Sequence, residues 1–477
     1  MIKISKSEFK NYLACPREFW LSRNKPEFAA TTPDAAALFR FNQGQEVEDV
    51  LKKYLEDRAD QDYEFQKTVQ TDDVIARFDV FVLNAGDGGA HIYEVKSSKA
   101  APASDSKRKA KREEFAYDLG FQVFAAREAG IKVSKAILVA LNPEYVLAGD
   151  LEPEELFVFD DMTDDVNNLQ DTIREQVSAA RECAEEEPTS DLHEVCDKKL
   201  KCEFIRWKFP EIPELTIFNI PRLSVAKRND LLDMDVLDIY DVPDDYKLTE
   251  KQREFIDFVK AGALEIDVVA IRRELSQLKY PLYFLDYETA NPSIPQFEGM
   301  HPLAQITFQY SLHVRREPLG ELEHYEFLSD GSGEVPHELA ADLRENLGET
   351  GSVIVWYKHF EMGRNNEMAE LYPEFKPFFD SVNSRIFDLY EIFSKGLYRD
   401  PAFESNSIKN VLPVLVPIMS YENLEIGNGA LASANWYQLV YKAEDEEFKA
   451  KTMDDLRVYC TQDTIAMVEI LDVLNQL

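Results

Sequence analysis

Residues 282–288 read Leu-Tyr-Phe-Leu-Asp-Tyr-Glu, an apolar strand that ends in two acids spaced by two. The period of a strand puts Asp286 and Glu288 on one face. Residues 459–463 read Tyr-Cys-Thr-Gln-Asp inside a helical pattern. There Tyr459 and Asp463 are four apart and share a face. Three carboxylates converging from a strand and a helix can hold divalent metals, which points to phosphoryl-transfer chemistry.

At 477 residues the chain is long for one domain, so two or three are expected. With 45% hydrophobic and 12% aromatic residues it can bury substantial cores. No apolar run is long enough to span a bilayer. Residues 1–8, Met-Ile-Lys-Ile-Ser-Lys-Ser-Glu, lack the apolar core of a signal peptide. A cytoplasmic protein with no membrane partner is therefore the expectation. The net charge of -36 runs against the basic face of most nucleic-acid binders. A solvated acidic surface accounts for it and need not describe a cleft. The five cysteines, Cys15, Cys183, Cys196, Cys202 and Cys460, are an odd count, which argues against a disulfide framework.

Three parts are expected: residues 1–210, a helical connector over 211–278, and residues 279–477. In the first, strand candidates 74–83 and 91–97 flank the turn signal Asn-Ala-Gly-Asp-Gly-Gly at 84–89. A helix-rich stretch follows at 113–130, then a strand candidate at 135–141. Residues 160–168 read as a polar surface segment leading into a helix. In the connector, Pro210, Pro213 and Pro221 break structure before helical periodicity sets in over 248–278. The last part reads as strands 281–286 and 304–314, helix 336–347, strand 352–357, then helices. This is an α/β pattern. No internal repeat stands out.

Asp79 lies in Arg-Phe-Asp-Val-Phe-Val, and Glu94 and Lys96 lie in Ile-Tyr-Glu-Val-Lys-Ser-Ser. An acid on one hairpin strand can sit beside an acid and a lysine on the next. Two carboxylates can hold Mg²⁺, and a lysine can orient the attacking water or help deprotonate it. Exposed strands also carry Glu-x-Lys without function. Lys96, Lys99, Lys107, Arg108, Lys109, Lys111 and Arg112 form a basic stretch in an acidic chain. It reads either as a phosphate-tracking surface or as a solvated loop.

The first constellation resembles the PD-(D/E)XK nuclease pattern, with Val95 in the variable slot. Gln122, four after Asp118, matches the accessory glutamine of RecB-like nucleases. Cys15 with the late pair Cys196 and Cys202 resembles the iron-sulfur staple of RecB-like exonucleases of the CRISPR-adaptation type. Such clusters take four thiolates. The position of the last one reads Trp207-Lys208-Phe209, so the resemblance implies a lost cluster, or one completed by Cys183 or His193.

The second constellation resembles RNase H-like DEDD exonucleases. Asp286-x-Glu288 matches the first motif, Phe360-Glu361 after strand 352–357 the second, and Tyr459-x-x-x-Asp463 the third. The resemblance implies that Asp286, Glu288, Glu361 and Asp463 hold two Mg²⁺ or Mn²⁺ ions while Tyr459 orients water. Glu361 stands where aspartate is usual, and Tyr357 where asparagine is. Asp388 either completes the site or serves as a helix cap or structural acid. Lys409 reads as a phosphate contact, with a helix start capped by Ser407 as the equal alternative. His359 reads as a surface residue.

Taken in order, Cys15-Pro16, Tyr93 to Ser98, Asp118 to Gln122, Leu141 to Val146, Phe284 to Thr289, Ser407 to Lys409 and Tyr459 to Thr464 span nearly the whole chain. They resemble a bacterial family that fuses a RecB-like PD-(D/E)XK domain to an RNase H-like DEDD domain. The resemblance implies an α/β protein built of those two folds. It also implies a metal-dependent nuclease acting on DNA, or on RNA at the second site, in repair, recombination or defence. The alternative is a catalytically degenerate scaffold that binds nucleic acid or a protein partner.

Overall fold

The computed structural model describes residues 2–29, 35–58, 60–100, 106–188, 204–443 and 445–477. The chain is a mixed α/β protein in two compact units. One holds Gln43–Tyr145 and Gly149–Ala261 with the N-terminal strand and helices. The other holds Gly262–Leu477 with two short earlier segments.

The first unit is built on a six-stranded sheet: β1 (Ile4–Ser5), β2 (Tyr63–Gln70), β3 (Val74–Val82), β4 (Ala90–Lys99), β5 (Val133–Leu141) and β6 (Phe157–Asp161). The order is β1-β3-β4-β5-β6, with β2 also on β3. Between β3 and β4 the chain reverses through residues 84–89, where Gly88 takes φ 82° and its N–H bonds Ala85 O. β4 and β5 are parallel, so a crossover is needed. The helix Ser106–Glu128 makes it. Ile92, Ala136 and Leu138 of the sheet pack with Leu119 and Val123 of that helix and with Ile173 and Val177 of the helix Thr163–Glu185. These two helices approach closely because Gly120 has no side chain: a Cβ there would lie 2.6 Å from Ile173 Cδ1. Residues 160–168 were expected as a surface segment. They hold the acidic end of β6, an edge strand too short to stand out, and the start of the expected helix, Thr163–Glu185.

An internal repeat is present where none was expected. Residues 215–221 (Leu-Thr-Ile-Phe-Asn-Ile-Pro) and 237–243 (Leu-Asp-Ile-Tyr-Asp-Val-Pro) share one pattern. Each forms a single 3₁₀ turn, Ile217–Asn219 and Ile239–Asp241, capped by the side chain of Thr216 or Asp238. The two copies exchange backbone bonds, Ile217 N to Leu237 O at 2.9 Å and Ile239 N to Leu215 O at 3.3 Å. A helix follows each, Val225–Asp233 and Glu250–Ala261, and Ile217, Ile239, Leu231 and Ile256 close a small core. The repeat escaped notice because its conserved spacing falls on turns rather than on a helical or strand period.

The second unit carries β8 (Leu282–Ala290), β9 (Ile306–Arg315), β10 (Leu322–Leu328), β11 (Ser352–Val355) and β12 (Ile386–Asp388) in the order β10-β9-β8-β11-β12. A short pair, β7 (Glu265–Ile266) with β13 (Tyr398–Arg399), lies apart. β8 is antiparallel to β9 and parallel to β11. Helices cover both faces. Tyr283, Leu285 and Tyr287 pack with Leu339, Met368 and Phe379, whereas Leu282 and Phe284 pack in the core that holds Trp436, Leu456 and Met467. β8 extends to Ala290, so Asp286 and Glu288 lie inside the strand rather than after it. β10 and β12 were not anticipated: β10 is an exposed, glutamate-bearing edge, and β12 has three residues. Among the described residues no helix is long and apolar enough to cross a membrane.

Candidate functional site

In the first unit, the antiparallel register pairs Val80 with Tyr93, the neighbours in sequence of Asp79 and Glu94. Asp79 Oδ2 accepts the Val95 N–H at 2.9 Å. Glu94 and Lys96 share the β4 face that Ile92 turns toward the Ser106–Glu128 helix, and Gln122 of that helix donates to Glu94 Oε2. Lys96 Nζ lies 2.7 Å from Glu94 Oε1 and 2.6 Å from Asp118 Oδ2. Asp79, Glu94, Lys96 and Gln122 are thus brought together.

Four groups here were not foreseen. Lys6 places Nζ 2.8 and 2.9 Å from the two Glu94 oxygens, and Lys10 places its own 3.1 Å from Asp118. The two lysines are four apart on the helix Lys6–Ala14, a spacing visible in the sequence. Asp118 was read only as a spacer for Gln122. Glu48, on the helix Ala35–Arg58, is raised first by burial, while Arg77 lowers it and Glu94 adds to the rise.

The electrostatics set the chemistry. Burial alone would raise Glu94, but Lys96 and Lys6 outweigh it and bring it down to about 2. Burial, with Glu94 close by, pushes Asp79 up to about 7. Burial would lower Lys96, yet Glu94 and Asp118 hold it well above the usual lysine range. Lys96 is therefore a fixed ammonium.

The basic stretch divides. Lys109 and Lys111 are exposed, and Lys111 Nζ stands 5.5 Å from the Phe115 ring centroid. Arg112 is bound to Asp160 and, at 2.9 Å, to Asp165, so its guanidinium serves an ion-pair network rather than a free phosphate-binding surface. The side chains of Lys107 and Arg108 lie outside the described residues, as do Cys196, Cys202 and His193. Cys15 caps the helix Pro16–Asn24, its sulfur accepting the Glu18 N–H at 3.4 Å. Burial raises the Cys183 thiol, with Cys15 adding to the rise, so the two sulfurs are neighbours.

In the second unit the β8 face that carries Asp286 and Glu288 meets the helix Glu446–Asn475. Leu456, Tyr459, Cys460, Asp463, Thr464, Met467 and Leu471 form its buried stripe. A β-bulge lies beside Glu288: Glu288 pairs Gln309, but Thr289 pairs Thr307. Gln309 donates to Leu456 O at 3.0 Å, and Ser311, opposite Asp286, bonds Thr464 at 2.7 Å. Those contacts fix the helix against the sheet with Asp463 facing the strand acids. Glu361 enters from the first turn of the helix Lys358–Leu371.

Asp286 acts on Glu288 and Glu361, and Asp463 acts on Asp286 and Glu288. Burial raises Asp286 and Glu288 well above the carboxylate range, with Asp463 adding to both. Glu361, 1% exposed, is raised by burial and then by Asp286. Burial also lifts Asp463 to about 6, against the Tyr421 hydroxyl and Lys409. Tyr421 donates to Asp463 Oδ1 at 2.6 Å. Lys409 Nζ donates to the Tyr459 hydroxyl at 2.9 Å and to Gly427 O at 2.7 Å, so it is a member of the cluster. Ser407 occupies the helix start without a side-chain cap bond. Asp388 accepts the N–H groups of Tyr357 and Lys358 at 2.9 and 3.1 Å, capping the helix of Glu361 from β12. His359 is exposed.

Asp286, Glu288 and Cys460 can bring ligand atoms within 4.8 Å of one another. The Cys460 thiol is raised by burial and by the acids, which keeps it protonated and a donor toward Asp286. Tyr421 and Cys460 were missed as site members. Cys460 stood inside the recognised motif, whereas Tyr421 lies on a loop with no pattern to announce it.

Residues 283–407 match a family model described as a domain of unknown function, DUF2779. The match takes in Asp286, Glu288 and Glu361 and ends before Lys409, Tyr459 and Asp463. The chain is 24% identical over 294 residues to "Uncharacterized protein UU173" of Ureaplasma parvum, covering 54% of this chain and 38% of that one. It is 27% identical over 215 residues to "Uncharacterized protein MG366 homolog" of Mycoplasma pneumoniae, covering 41% and 32%. The chain thus spans about a third of the length of these curated relatives.

Proposed function

We propose that the protein is a metal-dependent nuclease whose principal metal centre is formed by Asp286, Glu288, Glu361 and Asp463. The observation that carries this is a charge imbalance under burial. Asp286 lies among three buried acids, acted on by Asp463 and acting on Glu288 and Glu361, and the ammonium that acts on Asp286, Glu288 and Asp463 is Lys409. Arg364, which acts on Glu361, is tied to Glu367 at 2.6 Å. A purely structural core gains nothing from carboxylates that repel one another. Glu361 Oε2 is buried with no hydrogen-bond partner, an orphan acceptor of the kind a cation satisfies. Hard oxygen donors suit Mg²⁺ or Mn²⁺.

When bound, such a cation would neutralise a phosphate and acidify a water. The chain's own groups do the rest. Tyr421 holds Asp463 Oδ1. Tyr459 accepts from Lys409, and burial keeps its phenol protonated, so its proton is available to Asp463 or to water. Lys409 supplies positive charge beside the acids, where an incoming phosphate would meet it. The strand order, with two parallel strands added to a three-stranded antiparallel meander, supports an RNase H-like reading of this unit.

The first unit supports a second, PD-(D/E)XK-like nuclease site through Asp79, Glu94, Lys96 and Gln122, acting on DNA. One observation favours the scaffold alternative there. Lys6 and Lys96 already neutralise Glu94, so that cluster is balanced without a metal. Thermal denaturation with and without Mn²⁺ tests the proposal. A Mn²⁺-dependent rise in melting temperature is expected in the wild type and its loss in Asp286→Asn. Equal stabilisation of both would remove the second unit as the metal centre.

A further inference from the structure

Tyr357 is a bulky aromatic residue at φ 81°, ψ 71°, in the left-handed region. Glycine or asparagine adopts that conformation readily, and an aromatic residue only when its surroundings enforce it. Asp388 enforces it here by binding the Tyr357 and Lys358 N–H groups. Nothing in the core gains from the arrangement, because the ring is 50% exposed. It stands edge-to-face with His359 at 5.5 Å and with Tyr390 at 5.8 Å. Its place is at the rim of the acid cluster: Tyr357 immediately precedes the helix whose first turn carries Glu361, and Glu361 feels both Asp286 and Asp388.

A strained backbone that holds an exposed ring beside phosphate chemistry calls for a flat ligand. Aromatic rings beside a strand path stack nucleobases, and such stacking is tolerant of sequence because every base has a π-face. Lys358 does not compete for the role, since its ammonium is held by Glu391 at 2.5 Å.

We propose that Tyr357, supported by His359 and Tyr390, is a stacking platform for an unpaired base of the nucleic-acid strand whose phosphate enters the acid cluster. The inference rests on the nuclease reading of that cluster and adds a preference for single-stranded ends, whose bases are free to stack. The test compares wild type, Tyr357→Gly and Tyr357→Phe. It uses end-labelled single-stranded DNA and RNA oligonucleotides with Mn²⁺ and reads KM, kcat and the melting temperature of each protein. Tyr357→Gly should raise KM about ten-fold with kcat nearly unchanged. Its melting temperature should hold or rise, because glycine accepts the positive φ without strain. Tyr357→Phe should keep the wild-type KM. An unchanged KM in Tyr357→Gly overturns the platform and leaves the nuclease reading standing. A melting temperature that falls together with the KM effect also overturns it, by marking the ring as structural. A wild type that hydrolyses neither oligonucleotide removes the nuclease reading and the platform with it.

Discussion

Glu94 and Asp463 are both buried carboxylates, and their neighbours drive them in opposite directions. Glu94 is held near 2 by Lys96 and Lys6, below the ordinary glutamate value of about 4.3. Its contribution to stability is therefore present above about pH 4 and is lost as pH falls toward 2. Asp463 is raised to about 6. The folded protein keeps that proton where the unfolded chain, near 3.9, has released it. Stability from this group therefore falls as pH rises from about 4 to about 6 and stays reduced above. In EDTA, the melting temperature of Asp463→Asn relative to wild type should climb across that window, as read by circular dichroism. A flat difference would show that the Asp463 site is not strained by its charge. Lys6→Met should destabilise the protein at pH 7 by about 1–3 kcal/mol, since it removes a charged hydrogen-bond donor from a buried acid. A urea titration measures this, and no change would mean that Lys96 alone balances Glu94.

At the scale of elements, two contacts place the clustered side chains. Gly120 lets the Ser106–Glu128 and Thr163–Glu185 helices meet, two residues before the Glu94 partner Gln122. Gly120→Ala should cost about 1–3 kcal/mol through overpacking. Ile173→Val removes the methyl that the new Cβ would strike, at 2.6 Å. The double variant should therefore be less unstable than the two singles added together. Strict additivity in denaturant melts would contradict the close approach. Asp388→Ala uncaps the helix of Glu361 and should cost about 1–2 kcal/mol, with weaker Mn²⁺ stabilisation alongside. Much at this scale was legible beforehand. Periods of two and four already grouped Glu94 with Lys96 and Tyr459 with Asp463, because those periods are set by the backbone itself. The edge strands β6 and β10 were not legible, since the apolar run of β6 is only Phe157-Val158-Phe159 and β10 alternates with polar residues that face water. Asp388 was legible as a helix cap, whereas Tyr421 reaches Asp463 from a loop. Contacts of that range leave no local pattern to read.

For the whole molecule, the charge of -36 and the two clusters pull together. An acidic chain should hold nucleic acid through few phosphates and through bound cations rather than through a broad basic face. Fluorescence anisotropy with a labelled single strand should show binding with Mn²⁺ and little in EDTA. With Mn²⁺ held fixed, the logarithm of affinity should fall with that of KCl concentration more gently than the slope of about −6 or steeper that a broad basic face gives. A steep slope that persists in EDTA would point instead to a broad basic face that includes the exposed Lys109 and Lys111. The most direct measurement is hydrolysis of labelled single- and double-stranded DNA and RNA with Mn²⁺ by wild type, Lys96→Ala, Asp286→Ala and the double variant. The expected result is that wild type cuts, Asp286→Ala removes the trimming of single strands, and the double variant is inert. A wild type inert on every substrate, or a double variant as active as wild type, would contradict the assignment of these clusters to phosphodiester hydrolysis.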